Sequence, residues 1–386
     1  MDYVIMKEWE LLILVSKSNL KPAEDERIKE IVSARPDWRE VLYQGTTHRL
    51  LGLLHHHLKR LRLLDWLERD LGNLLSLHFA AIGEKNRAYY GELQMIAEGF
   101  RRTGVRAALL KGPLLAWSVY PEIETRYSND LDFLAQLSDV NRITEVLNEL
   151  GYVQGIVDKE TNEIVPATRK QKIFHQMSTH ELQEFLKPSK SRLIERFAVD
   201  INHSILWGGR CPYTIDTAAL LSRAVSVKIN GEEVIRLNAE DCLLQLCCHL
   251  YREATMAHWI EDSRDLKIYK FADIINYVER FEQDINWIQF ERQVRDTGVS
   301  DLVYYVFHHV VMLYGDSTQS DALRSSMERL HPQDLTFLEE YTLEDGERRR
   351  WQRSFFERLF DTNRVLEISA GGAREDQFES VKKGLS

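Results

Sequence analysis

Residues 111–134 read KGPLLAWSVYPEIETRYSNDLDFL and follow an apolar run, Ala107-Ala108-Leu109-Leu110. The run has the length and composition of a short buried strand, and Lys111-Gly112-Pro113 breaks it into a turn. Pro113 suits the first position of a helix, where its missing N–H is not needed. The chain returns as a second strand at DLDFLA. Residues two apart in a strand point to the same side, so Asp130 and Asp132 share one face while Leu131 and Phe133 enter the core. Two carboxylates on one face beside a Lys-Gly turn point to a metal and a phosphate.

Lys111-Gly112, a short helix, Tyr120-Pro121, Arg126 and then Asp130-Leu131-Asp132 form an order that resembles the uncharacterised nucleotidyltransferase family. That family belongs to the superfamily that includes DNA polymerase beta and the aminoglycoside nucleotidyltransferases. The likeness extends upstream to Asp37-Trp38, Thr47-His48-Arg49 and Leu53-Leu54, and downstream to His249, Asp273 and Asn286-Trp287. It implies an α+β fold: a nucleotidyltransferase-like α/β core with a mixed β-sheet, flanked by helical domains. In the wider superfamily the phosphate turn is Gly-Ser or Gly-Gly; here Lys-Gly replaces it, as in the narrower family.

A third acid is expected from FAVDINHSI, where Phe197, Val199 and Ile201 alternate to one face and leave Asp200 on the other. The resemblance places an acid at this position too, although Ile201-Asn202-His203-Ser204 stands where the family has His-Trp after a hydrophobic residue. Nucleotidyl transfer displaces pyrophosphate in line. Two Mg²⁺ ions roughly 3.5–4 Å apart, held by carboxylates, can stabilise the entering and leaving oxygens. Asp130, Asp132 and Asp200 are therefore the expected catalytic and metal-binding set for Mg²⁺, with Mn²⁺ as a substitute. Lys111, the amides around Gly112, Arg126 and the Ser128 hydroxyl are expected on the triphosphate. His175, His180 and His203 are candidate bases.

The chain has 386 residues and a net charge of −10. No global basic field recruits nucleic acid, so an NTP and a small-molecule, peptide or protein acceptor are the expected partners. No apolar run of about 18 residues exists to span a bilayer. The opening helix lacks a basic leader, which points to a cytoplasmic protein. Cys211, Cys242, Cys247 and Cys248 form no C-x-x-C pair and read as free thiols. His55, His56 and His57 are consecutive, so one helical face cannot gather them around a metal.

Residues 1–100 carry apolar side chains at three-to-four spacing and read as a helical N-terminal domain. Residues 101–237 read as the catalytic core. Within it 139–152 forms a helix capped by Ser138 and stopped by Gly151, and strand-like runs follow at NEIVPATRKQKIFHQ and RLIERFAVDINHSI. Asn230-Gly231 marks a hairpin. Residues 238–386 read as a helical C-terminal domain opened by Asn238 with Asp241 as an approximate capping box. The run Arg348-Arg349-Arg350-Trp351-Gln352-Arg353 reads as a solvated helix face, and 369–386 as a fraying tail. Two other functions fit the same residues: a non-catalytic partner-binding protein on a degenerate core, and a metal-dependent phosphohydrolase. No P-loop, G-x-G-x-x-G or Ser-His-Asp order appears.

Overall fold

The computed structural model describes residues 5–208, 211–315, 320–361 and 363–370. The N-terminal helices are α1 (Lys7–Val15), α2 (Pro22–Ser33), α3 (Trp38–Thr47), α4 (Leu51–Arg60) and α5 (Arg69–Thr103). Asp37 caps α3 by accepting the Arg39 N–H at 2.9 Å, and Gly104 ends α5 in the left-handed region at φ 68°. The three histidines of α4 diverge as their spacing requires. His55 meets the Ser76 hydroxyl, His56 the Glu122 carboxylate and His57 the Lys17 carbonyl. His48, fully buried, takes the Ile268 N–H at 3.2 Å and so packs the N-terminal helices against the C-terminal ones.

The core follows as β1 (Ala108–Leu109), α6 (Lys111–Ser118), β2 (Leu131–Leu134), α7 (Val140–Glu149), β3 (Val153–Val157) and β4 (Ile164–Pro166). It continues with α8 (Arg169–Ser178), β5 (Phe185–Pro188), β6 (Arg196–Asn202), α9 (Thr217–Arg223), β7 (Val225–Ile229) and β8 (Glu232–Arg236). Eight strands form one mixed sheet in the order β4-β3-β5-β6-β2-β1-β8-β7. The expected mixed α+β architecture is thus present. Strand β2 lies parallel to β6 and antiparallel to β1, at the centre of the sheet. Phe133 meets Phe100 of α5 edge-on at 5.4 Å, so the long helix α5 covers the apolar face of the two central strands.

Within the core two expectations fail locally. Residues 169–178 are helix rather than strand, because Thr168 accepts the Gln171 N–H at 3.3 Å while the Gln171 side chain accepts the Thr168 N–H at 2.8 Å, a reciprocal cap. Ser138 does not cap α7; it sits inside a 3₁₀ turn over Leu137–Asp139, and Asp139 takes the cap position. Gly151 does follow α7 with φ 85°. The hairpin stands as read, with Asn230 at φ 50° and Gly231 at φ 86°, the two positive φ values a type I′ turn needs.

The C-terminal part comprises α10 (Ala239–Thr255), α11 (Ala257–Glu261), α12 (Ile268–Phe281), α13 (Trp287–Asp296), α14 (Ser300–Tyr314) and α15 (Asp321–Arg329). It closes with β9 (Glu340–Thr342), β10 (Arg348–Arg350), α16 (Phe355–Phe360) and α17 (Val365–Ala370). Asn238 accepts the Asp241 N–H at 2.8 Å, but the Asp241 carboxylate turns to Arg223, so the cap is one-sided. The Arg348–Arg350 run is not helical: it pairs as a strand with Glu340–Thr342, and Arg349 and Arg350 meet Glu347 and Glu339. Of the expected tail, Ser369 and Ala370 close α17 and 371–386 lies outside the described residues.

One continuous apolar cluster runs from Leu11 through the sheet to Phe360. Cys242, Cys247 and Cys248 are buried in or beside it as free thiols, and Cys211 is half-buried. Among the described residues, no helix is long and apolar enough to cross a membrane.

Candidate active site

Parallel pairing of β2 with β6 aligns Leu131 with Val199, Asp132 with Asp200 and Phe133 with Ile201. The apolar pairs go to the α5 side, which sends the two aspartates together to the opposite face. Asp130 sits just before β2, against the turn. A Cβ on Gly112 would stand 3.5 Å from the Asp130 carbonyl, and Gly112 holds φ 45°, ψ −121°, a conformation that side chains with a Cβ do not adopt without strain. The turn and the acids are tied in register by the Leu110 N–H, which donates to the Asp132 carbonyl at 2.9 Å.

Lys111 serves as the local counter-ion. Its Nζ lies 3.1 Å from Asp132 Oδ1 and donates to His249 Nε2 at 3.0 Å, while His249 Nδ1 faces Glu253 at 3.4 Å. Burial keeps His249 neutral, well below the usual imidazole range, so its Nε2 is free to accept. Burial alone would lower the Lys111 ammonium, but the Asp132 and Asp130 charges outweigh it and hold it up. The Asp132 and Asp200 carboxyls are both pushed above the carboxylate range, first by burial and then by the acids beside them, with Lys111 opposing the rise at Asp132.

A cavity of about 360 Å³ gathers Asp130, Asp132 and Asp200 with two further acids, Glu181 and Glu184, which precede and start the turn into β5. His175 and His180 also line it, whereas His203 does not. The His180 Nε2 accepts from Arg252 at 2.5 Å, and burial followed by that guanidinium drops the imidazole to about 3. Burial would raise Glu181, yet His175, His180 and Arg252 hold it down at about 2. Glu184 is raised by burial and by Asp130 and Glu181.

Carboxylate oxygens are the donors that hard divalent cations take. Asp132 Oδ2 is buried with no hydrogen-bond partner, an orphan acceptor of the kind a cation satisfies. Among the described residues, no three His, Cys, Asp or Glu side chains are grouped as they would be around an ion. Lys111 stands beside Asp132 instead, so a cation would have to displace its ammonium from Oδ1.

Arg126 is placed differently from its expected role. Its guanidinium forks onto Asp273 of α12, with Nε–Oδ1 2.8 Å and Nη2–Oδ2 2.7 Å, and the Tyr120 hydroxyl adds a 2.6 Å bond to Oδ1. The fork is engaged by protein rather than open to phosphate. Ser128 is 2% exposed and its Oγ has no partner. Both line a second cavity of about 110 Å³ on the other side of the Lys111–Gly112 turn, together with Arg49, Arg264, Lys267, Lys270, Tyr127 and Tyr269.

Glu181, Glu184, Arg264 and Lys267 escaped the reading of the sequence. Leu182 and Phe185 are buried around the two acids, so apolar spacing at THELQEFL was the one signal for them. Arg49, by contrast, was already part of the motif Thr47-His48-Arg49. The family model described as an uncharacterised nucleotidyltransferase matches residues 34–315, which takes in the acids, the turn, β6 and α10 to α14. No curated protein matches the chain.

Proposed function

The chain belongs to the uncharacterised nucleotidyltransferase family, and from that membership we propose that it transfers a nucleoside monophosphate from an NTP to an acceptor hydroxyl, phosphate or carboxylate. The acceptor is a small molecule, a peptide or a protein side chain. The acceptor oxygen bonds to the α-phosphorus while the bond from that phosphorus to the oxygen bridging to the β-phosphate breaks and pyrophosphate leaves; a hydroxyl acceptor loses its proton to solvent, whereas an ionised phosphate or carboxylate has none to lose. The observation that carries this reading is the alignment of Asp132 with Asp200 on parallel strands, with Asp132 Oδ2 buried and unsatisfied and Asp130 two residues away.

Asp130, Asp132 and Asp200 would hold Mg²⁺ or Mn²⁺. Bound there, the cation supplies positive charge to the entering and leaving oxygens. Lys111 neutralises Asp132 in the free protein and moves to the donor's phosphates on binding, steadied throughout by His249. Gly112 lets the backbone lie close to Asp130 and so brings the turn amides to the same phosphates. The free buried thiols and the consumption of an NTP suit the cytoplasm.

Incubation with each labelled NTP, Mg²⁺ and candidate acceptors, read as pyrophosphate release, tests the proposal. ATP is the first donor to try. Release that disappears in Asp132→Asn supports it, and full activity in that variant overturns it. Water as the sole acceptor would assign a phosphohydrolase instead. Absence of NTP binding by calorimetry would assign a partner-binding scaffold.

A further inference from the structure

The smaller cavity, on the α12 side of the Lys111–Gly112 turn, has an imbalance of charge that the acids do not explain. Six cations line it. Three are engaged: Lys111 with Asp132, Arg126 with Asp273, and Lys270 with Glu253. Among the described residues, no carboxylate forms an ion pair with Arg49, Arg264 or Lys267. Like charges brought together without counter-ions disfavour the folded state, and a cluster of them in a concave wall is the electrostatic form of an anion site.

Two local details show that these groups are held in place. Arg49 sits at φ 57°, a left-handed conformation that costs a non-glycine residue on the order of 1 kcal/mol. That backbone sets its guanidinium over the rings of Tyr127 and Tyr269, at 5.5 and 5.1 Å from their centroids. Arg264 lies over the Trp259 ring at 4.5 Å. Aromatic faces fix both guanidiniums, and of their N–H groups only Arg49 Nη1 has a hydrogen bond among the described residues, a long one of 3.5 Å to the Tyr269 hydroxyl. Ser128 also lines the cavity, and its buried Oγ has no partner, so a hydroxyl is available to a ligand oxygen. Lys267 is held down at about 8 by burial and by the Arg364, Lys270 and Arg49 charges, with Asp265 opposing. A neighbouring anion would reverse that shift.

Size limits the occupant. At about 110 Å³ the cavity is well below the roughly 300–1,000 Å³ that drug-sized ligands fill. A whole nucleotide does not fit, whereas a chain of phosphates does. The cavity also shares Lys111, Asp130, His249, Glu253 and Arg264 with the acidic one, so a ligand can span both.

We propose that this cavity is the polyphosphate pocket of the donor: Arg49, Arg264 and Lys267, with Ser128, take the β- and γ-phosphates of an NTP and retain pyrophosphate after transfer. The nucleoside then lies outside the pocket, with the α-phosphate at the turn beside Asp130. The acceptor enters from the Glu181–Glu184 side of the acidic cavity. This assignment of the donor rests on the nucleotidyl-transfer reading above; the pocket's preference for a polyphosphate does not.

Calorimetric titration with inorganic pyrophosphate, inorganic phosphate and ATP, on the full chain, tests it. Wild type is expected to bind pyrophosphate and ATP and to bind phosphate much more weakly. The double variant Arg49→Gln, Lys267→Gln should lose at least about a hundredfold in pyrophosphate affinity, since it removes two charge-assisted contacts. Neither residue has a carboxylate partner to strand, and a thermal melt checks that the fold is kept. Lys267→Arg should restore binding. Unchanged pyrophosphate affinity in the double variant, or none in wild type, overturns the pocket even if Asp132-dependent transfer is observed. If the double variant loses pyrophosphate while no NTP supports transfer in wild type, the pocket stands as a polyphosphate site and the transferase reading falls.

Discussion

The two cavities on either side of the Lys111–Gly112 turn carry opposite charge and solve it differently. On the acidic side Asp130, Asp132, Asp200, Glu181 and Glu184 face one another, and burial drives Asp132 and Asp200 toward their protonated forms. On the basic side half of the cations have carboxylate partners, and aromatic rings orient two of the others. A carboxyl can shed unfavourable charge by taking up a proton, whereas an arginine cannot. The basic side is therefore left with the permanent unmatched charge of Arg49 and Arg264, and an anionic ligand is the remaining way to satisfy it. Lys111 is one of five residues shared by both, and its ion pair with Asp132 ties the basic side to the acidic one.

The comparison breaks most visibly if the acids are altered. Asp132→Asn should lower nucleotidyl transfer on the order of a thousandfold, measured as pyrophosphate release, while pyrophosphate binding stays within a few fold. Equal losses of both would mean that the cavities are a single site. Next in size, Asp273→Asn should reduce stability by about 3–5 kcal/mol in urea denaturation, because it leaves the buried Arg126 guanidinium half-matched. A cost below about 1 kcal/mol would show that water reaches the fork. Gly112→Ala should cost about 1–3 kcal/mol from its φ of 45° alone, because the added Cβ meets only ordinary contacts.

The smallest expected effect is a pH dependence confined to the basic side. Lys267 is protonated below about 8 and loses its charge above it. Its charge faces those of Arg364, Lys270 and Arg49, which push it down, and that of Asp265, which opposes them. Pyrophosphate affinity should hold from pH 6.5 to 7.5 and weaken several fold by pH 9.5. Lys267→Arg, which stays charged, should flatten that profile. A slope that survives the substitution would assign the titration to another group.

Much of the site was legible in the sequence where the signal is local. Alternation in DLDFLA and RFAVDIN placed Asp132 and Asp200 opposite their apolar neighbours, and the parallel pairing then put them side by side. Asn230-Gly231 fixed its hairpin because only residues tolerant of positive φ make that turn. Where two local signals competed, the reading failed. Ile164-Val165-Pro166 is a strand, but the cap at Thr168 and Gln171 two residues later starts a helix. Arg348-Arg349-Arg350 has no helical partner spacing to override the strand opposite it.

What the sequence determined by itself is the chemistry within one stretch: two carboxylates, a Lys-Gly turn, and a third acid on an alternating strand, each set by backbone periodicity over a few residues. Tertiary structure decided which charges are matched. Arg126 meets Asp273 from 147 residues away, and Lys111 meets His249 from 138 away. Arg49, Arg264 and Lys267 share a wall only because the α3–α4 connection and the segment leading into α12 meet beside the same turn. Charge acts across space with no period along the chain. The sequence therefore places a cation without its counter-ion, and the folded protein shows which cations still lack one.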